Sequence, residues 1–192
     1  MSARRARPPA IDAAAGARAA RLLDWPGVAL APMRLFGVRV LPVVVLDLDA
    51  HQARQRTGDG PQLDGDTLAV WEWPESTGHA PLTVVALSGL LIPNLNPAGR
   101  GWRAALSRAR SVRGFGPAAV LIAAEQTDEV CRLEHAFHGI GLVTAAEAGE
   151  VVAAAPGRAP CARRRTADRC VDELLYAAAL TAGHLLAGDD RP

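Results

Sequence analysis

The chain predicts a single α/β domain built on a mixed central sheet, and three observations carry that prediction. It has 192 residues, of which 49% are apolar; one domain of that size buries roughly 70% of the surface its unfolded chain exposes. β-Branched runs recur as strands, clearest in "VRVLPVVVLDLD" (38–49), "LTVVALSG" (82–89) and "PAAVLIAA" (117–124). The stretches after the last two runs change to the helical period, with apolar residues three and four apart.

The elements follow in order. Residues 1–10 are expected to form a disordered arm. Residues 11–24 are rich in helix formers and stop before Trp25-Pro26-Gly27. The strand 38–49 carries Pro42, which implies a sheet edge or a bulge near its start. Residues 50–65 read as a polar loop with Gly58, Gly60, Pro61 and Gly65. "TLAVWEW" (67–73) reads as a second strand, with Trp71 and Trp73 on one face and Glu72 on the other. The third strand opens "PLTVVALSGLLIPNLNP" (81–97) and runs into a proline-bounded loop.

The second half alternates more regularly. Trp102, Ala105, Leu106, Ala109 and Val112 fall on one helical stripe, and Gly114 and Gly116 end that helix. After the strand at 117–124, "TDEVCRLEHAFHG" predicts a helix capped by Thr127, with Val130, Leu133 and Phe137 on one face and Gly139 closing it. "IGLVTA" and "EVVAAA" predict two short strands. Residues 156–192 form a basic loop and a final helix packing on the core through Val171, Leu174, Leu175, Ala178, Leu185 and Leu186. The order is α-β-β-β-α-β followed by α-β-β-α, which differs from the alternation of a doubly wound nucleotide fold.

Charge narrows the chemistry. The formal net charge is +1, and all 21 basic side chains are arginine. A balanced chain lacks the global field that steers proteins to nucleic acid or anionic membranes. Without lysine, Schiff-base chemistry and the P-loop are excluded. The alanine- and arginine-rich, lysine-free composition points to a GC-rich bacterial source. Cys131, Cys161 and Cys170 have no paired spacing, which suits a reducing cytoplasm. "MSARRARPPAIDAAAG" lacks the apolar core of a signal peptide, and no apolar run reaches the roughly 18 residues of a membrane span.

The α-β-β-β-α-β order, with "LEHAFHGIGLVTAAEAGEVVAAAP" following it, resembles over roughly 11–155 the core of the PD-(D/E)xK, or restriction-endonuclease-like, superfamily. In that family an acid near the start of the second strand joins an acid and a lysine on the third to hold a divalent metal. The resemblance places Asp66 at the first acid, with Asp64 its neighbour. The third strand has Ala86-Leu87-Ser88 where the family carries its second acid and lysine. It therefore implies a nuclease-like module with a vestigial site, no cofactor and no cleavage.

Other constellations offer alternatives. "VVVLDLDAH" places Asp47 and Asp49 two apart at a strand end, on the same side if the strand continues. An apolar strand ending in D-x-D resembles the first motif of haloacid-dehalogenase-type phosphotransferases, and "GDD" (188–190) echoes their last acidic motif. That resemblance implies a magnesium-dependent phosphotransferase or phosphatase; the bland alternative is a solvated strand end. Cys131, His135 and His138 share a helix face, with Glu134 at its edge. They are candidate zinc ligands, although zinc needs at least three ligands and often four; otherwise they form a half-exposed flank. Ser88 has no G-x-S-x-G around it.

Charge is also segregated along the chain. Residues 47–75 carry seven acids against Arg54 and Arg56, whereas Arg100, Arg103, Arg108, Arg110 and Arg113 face no acid within 100–113. A second basic run holds Arg158, Arg163, Arg164, Arg165 and Arg169. Arginine forks suit phosphate recognition; the alternative is a solvated face paired with the acidic stretch. The leading expectation is a non-catalytic intracellular module for nucleic-acid or protein interaction, using Arg100, Arg103, Arg110, Arg163, Arg164 and Arg165. A structural domain that forms homodimers through its last helix is a further alternative.

Overall fold

A computed structural model describes residues 12–73, 76–94, 101–123, 127–145, 149–155 and 166–185. The expected arm at 1–10, the arginines at 100, 158 and 163–165, Cys161 and the "GDD" at 188–190 lie outside them. The elements are α1 (Ala13–Leu22), β1 (Val28–Ala29), β2 (Met33–Leu35), β3 (Val38–Leu46), α2 (Leu48–Thr57), α3 (Gly65–Val70), a 3-10 turn (Thr77–His79), β4 (Val85–Asn94), α4 (Trp102–Val112), β5 (Ala118–Ile122), α5 (Glu129–His138), β6 (Gly141–Thr144), β7 (Val151–Ala153) and α6 (Thr166–Thr181). The expected α/β domain with a mixed sheet is what the chain forms.

Among the described residues the sheet runs β1-β3-β4-β5-β6-β7, with β2 also paired to β3. β4, β5 and β6 are parallel, joined through α4 and α5, while β3 and β7 pair antiparallel. β5 is buried along its whole length, which explains its unbroken apolar run: both faces of a covered parallel strand must be apolar. One face meets α1 through Ala15, Ala19, Leu41, Val43, Leu91 and Leu121. The other meets α2, α4, α5 and α6, and holds most of the core.

The small residues of "ALSG" have a packing cause. Val43 pairs with Gly89 and Val44 with Leu87, so Ser88 is the extra residue of a bulge in β4. The bulge flips the strand. Val85 and Leu87 face the helical layer before it, and Leu90 and Ile92 face that layer after it. Gly89 lies under the Trp25 ring, where an added Cβ would stand 2.3 Å from ring carbons. Pro42 sits one residue from the bulge and accepts Leu30 N–H. β3 is not an edge strand, so that half of the expectation is corrected.

Three assignments in the first half are also corrected. "TLAVWEW" is not a strand: α3 spans Gly65–Val70, capped by Asp64, which accepts Thr67 N–H at 2.9 Å. Trp71, Glu72 and Trp73 follow that helix, so the two-faced strand reading of them falls away. The segment that the restriction-endonuclease-like resemblance uses as its second strand is thus helical. The polar loop expected at 50–65 is largely α2, closed by Gly58 in the left-handed conformation. A hairpin the sequence reading omitted joins β2 to β3 through Phe36 and Gly37, both at positive φ; Phe36 holds that conformation while stacking on Phe115 at 5.0 Å.

Candidate functional site

α4 packs one stripe and exposes the rest. Trp102, Ala105, Leu106, Ala109 and Val112 are buried, as their spacing requires. Arg103, Arg108 and Arg110 on the helix and Arg113 just after it are exposed. Arg103 and Arg110 are seven apart and share a flank. Arg103 stacks over Trp102 at 4.2 Å, and Trp102 packs on His135 of α5 at 5.9 Å. Arg113 donates to the His138 carbonyl at the end of α5. The basic flank therefore runs beside α5, over the roughly 16 Å of an eleven-residue helix. Among the described residues none of these four arginines pairs with a carboxylate, so pairing with the acidic stretch 47–73 is not what occupies them.

α5 is inverted relative to the simplest reading of its hydropathy. Val130, Leu133 and Phe137, the expected core stripe, are 49%, 62% and 85% exposed. Cys131 and His135 are fully buried instead. The face is fixed at the ends of the helix. Asp128, rather than Thr127, is the cap and accepts Cys131 N–H. Gly139 takes the left-handed conformation, and Ile140 behind it is wholly buried. These two anchors leave Cys131 and His135 pointing inward.

Burial has chemical consequences there. The Cys131 thiol is pushed up to about 11, chiefly by desolvation and then by the Asp128 charge. Desolvation also lowers the His135 pKa. Its Nδ1 lies 2.8 Å from the Cys131 carbonyl, which only a protonated nitrogen can satisfy. Nε2 then carries the lone pair and has no hydrogen-bond partner among the described residues. His138 is turned to the flank with Glu134, 3.8 Å away. Cys131 and His135 therefore point inward together, with Sγ 3.6 Å from Nδ1, while His138 turns away from both. Among the described residues no group of three or more His, Cys, Asp or Glu side chains is placed to hold a metal ion.

A second polar constellation, which the sequence reading missed, lies between α2 and α6. Arg54 forks onto Glu173 at 2.8 and 2.9 Å and also donates to the carbonyls of Asp59, Gly60 and Leu82. Its guanidinium lies 4.7 Å from the Tyr176 ring centre. His51 Nδ1 is 2.9 Å from the Tyr176 hydroxyl. Burial raises the Tyr176 pKa, and the nearby Arg54 charge opposes that shift. All four side chains are buried, so the network ties α2 and the 59–62 loop to α6. The available signal was Ala50, His51 and Arg54 before Gly58, a short amphipathic helix with a glycine stop.

The remaining predicted residues fall as follows. Asp47 caps α2 by accepting Ala50 N–H at 2.9 Å, and Asp49 lies in its first turn. Both are exposed, and the strand geometry that was to align them does not apply because β3 ends at Leu46. Asp64 caps α3, and its pKa is lowered first by the Thr67 hydroxyl bond. Asp66 is exposed in the first turn. Neither acid lies on a strand beside β4, whose partners are β3 and β5. Glu72 accepts the Thr166 N–H at the start of α6. The final helix buries Val171, Leu175, Tyr176 and Ala179, so that stripe is occupied by the core. Among the described residues no helix is long and apolar enough to cross a membrane.

Comparison of the chain with known protein families, with curated proteins and with solved structures finds no match.

Proposed function

We propose that the chain is a non-catalytic interaction module whose working surface is the outer side of α4 and α5. One observation carries this reading: among the described residues Arg103, Arg110 and Arg113 have no carboxylate partner, and they follow the flank of α4 next to α5, which exposes Val130, Leu133 and Phe137. Scattered apolar residues on a surface need no explanation, but a stripe at i, i+3 and i+7 beside a one-signed row is a binding surface in composition. Of the two acids that would support a phosphotransferase, Asp47 caps α2 and Asp49 lies in its first turn. A protein partner fits better than nucleic acid, because Val130 and Leu133 offer nothing to a base or phosphate that an arginine would not offer better.

The test is binding to two anionic probes, poly-glutamate and a 30-base-pair DNA duplex, across a salt series. The wild-type chain should retain poly-glutamate at low salt and release it as salt rises. The Arg103→Gln/Arg110→Gln pair should lose it. Failure to bind either probe overturns the reading. Cleavage of the duplex with magnesium or manganese would replace it with a nuclease.

A further inference from the structure

We infer that the occupant of this face is an acidic amphipathic helix from another protein, laid along α5 with its apolar stripe on Val130, Leu133 and Phe137. This rests on the reading of α4 and α5 as an interaction surface. The geometry suits a helix: the three side chains are spaced at i, i+3 and i+7, so they form a straight ridge on a ten-residue helix. Ridges of that spacing seat into the groove of another helix. The most exposed of them, Phe137, stands 85% free and can enter between two turns of a partner.

Charge selects among the occupants. The outer side of the two helices carries Arg103, Arg108, Arg110, Arg113 and Arg132, against Asp128, Glu129 and Glu134. A second copy docking on the same face would bring together two surfaces with the same excess of arginine, which like-charge repulsion disfavours. Of the chain's own segments outside the described residues, 1–11 and 156–165 contain arginines and no acid, so they do not complement this face. A helix with acids flanking its apolar stripe instead meets guanidinium groups able to fork onto each carboxylate. Arg103 and Arg110 are seven apart, so acids at matching spacing would reach both.

Three probes test this on the full chain. The first is an 18-residue peptide with leucine at i, i+3, i+4 and i+7 and glutamate elsewhere. The second is its scramble, with identical composition and no stripe. The third is the DNA duplex. Binding is read by fluorescence anisotropy, and mass in solution is measured over a concentration range. The first peptide should bind with induced helical circular dichroism, the scramble at least about tenfold more weakly. Leu133→Ser/Phe137→Ser, at exposed positions that leave the fold intact, should reduce the peptide's affinity to that of the scramble. If peptide and scramble bind alike while poly-glutamate is still held, the helix inference fails and the interaction reading stands. Tighter binding of the duplex than of the peptide, or a dimer abolished by Leu133→Ser/Phe137→Ser, also overturns the inference. If no anionic probe binds, both readings fall together.

Discussion

Arg54 of α2 meets Glu173 of α6 through two parallel hydrogen bonds, and every N–H of its guanidinium has an acceptor. Two go to the carboxylate and three to the carbonyls of Asp59, Gly60 and Leu82. Glu173 also accepts Gln62 N–H. A buried pair gains little net stability over apolar residues of the same shape, but losing one partner strands the other charge. Arg54→Ala should therefore cost about 3–5 kcal/mol in urea denaturation. Arg54→Lys should recover only part of that, because an ammonium cannot fork onto Glu173 while reaching three carbonyls. A lysine variant as stable as the wild type would show that charge alone matters at this position.

The buried His135 should tilt stability with pH. Its folded-state pKa is lowered from 6.5 by desolvation, so above that pH the ring is neutral whether folded or not. Below it the unfolded chain takes up a proton that the folded chain resists. Stability should fall as pH drops from 6.5 through the lower folded-state value. Melting temperatures from about pH 7.5 to 5 should decline more steeply for the wild type than for His135→Gln. Parallel curves for the two chains would remove His135 as the source.

Gly89 and Trp25 form a testable pair. A methyl group on Gly89 cannot coexist with the ring above it. Gly89→Ala should destabilise by about 1–3 kcal/mol, the range for forcing an extra group into a packed core. Trp25→Ala should remove the clash, so the double variant should be more stable than the sum of the single losses implies. Additive losses would mean that the ring does not define the space at the β4 bulge.

Asp47 separates capping from chemistry. Asparagine caps helices about as well as aspartate, whereas alanine costs about 1 kcal/mol. Asp47→Asn should thus leave the melting temperature nearly unchanged, and Asp47→Ala should lower it. Magnesium-stimulated release of phosphate from an aryl phosphate, abolished in Asp47→Asn, would install the phosphotransferase in place of the interaction module.

Much of the fold was legible because its signals are local. β5 reads as a strand from an unbroken apolar run, and α4 from five residues whose spacing makes one stripe; both are buried as that pattern demands. The site was less legible. Arg103 and Arg110 were visible as a row in the sequence, but whether an acid neutralised them depended on residues distant along the chain. The Arg54–Glu173 pair spans 119 positions, and no periodicity links its halves.

By itself, then, the sequence determined a lysine-free α/β domain, the apolar run of β5 and the arginine row, since composition and side-chain period act within a few residues. Packing decided what those periods could not. "TLAVWEW" has the residues of a strand, yet Asp64 caps it and Leu68 is buried as a helical position, because strand preference yields to context. α5 carries two competing stripes, and hydropathy favours the wrong one. The Asp128 cap and the buried Ile140 hold the helix so that Cys131 and His135 meet the sheet, and the more apolar side is left facing water.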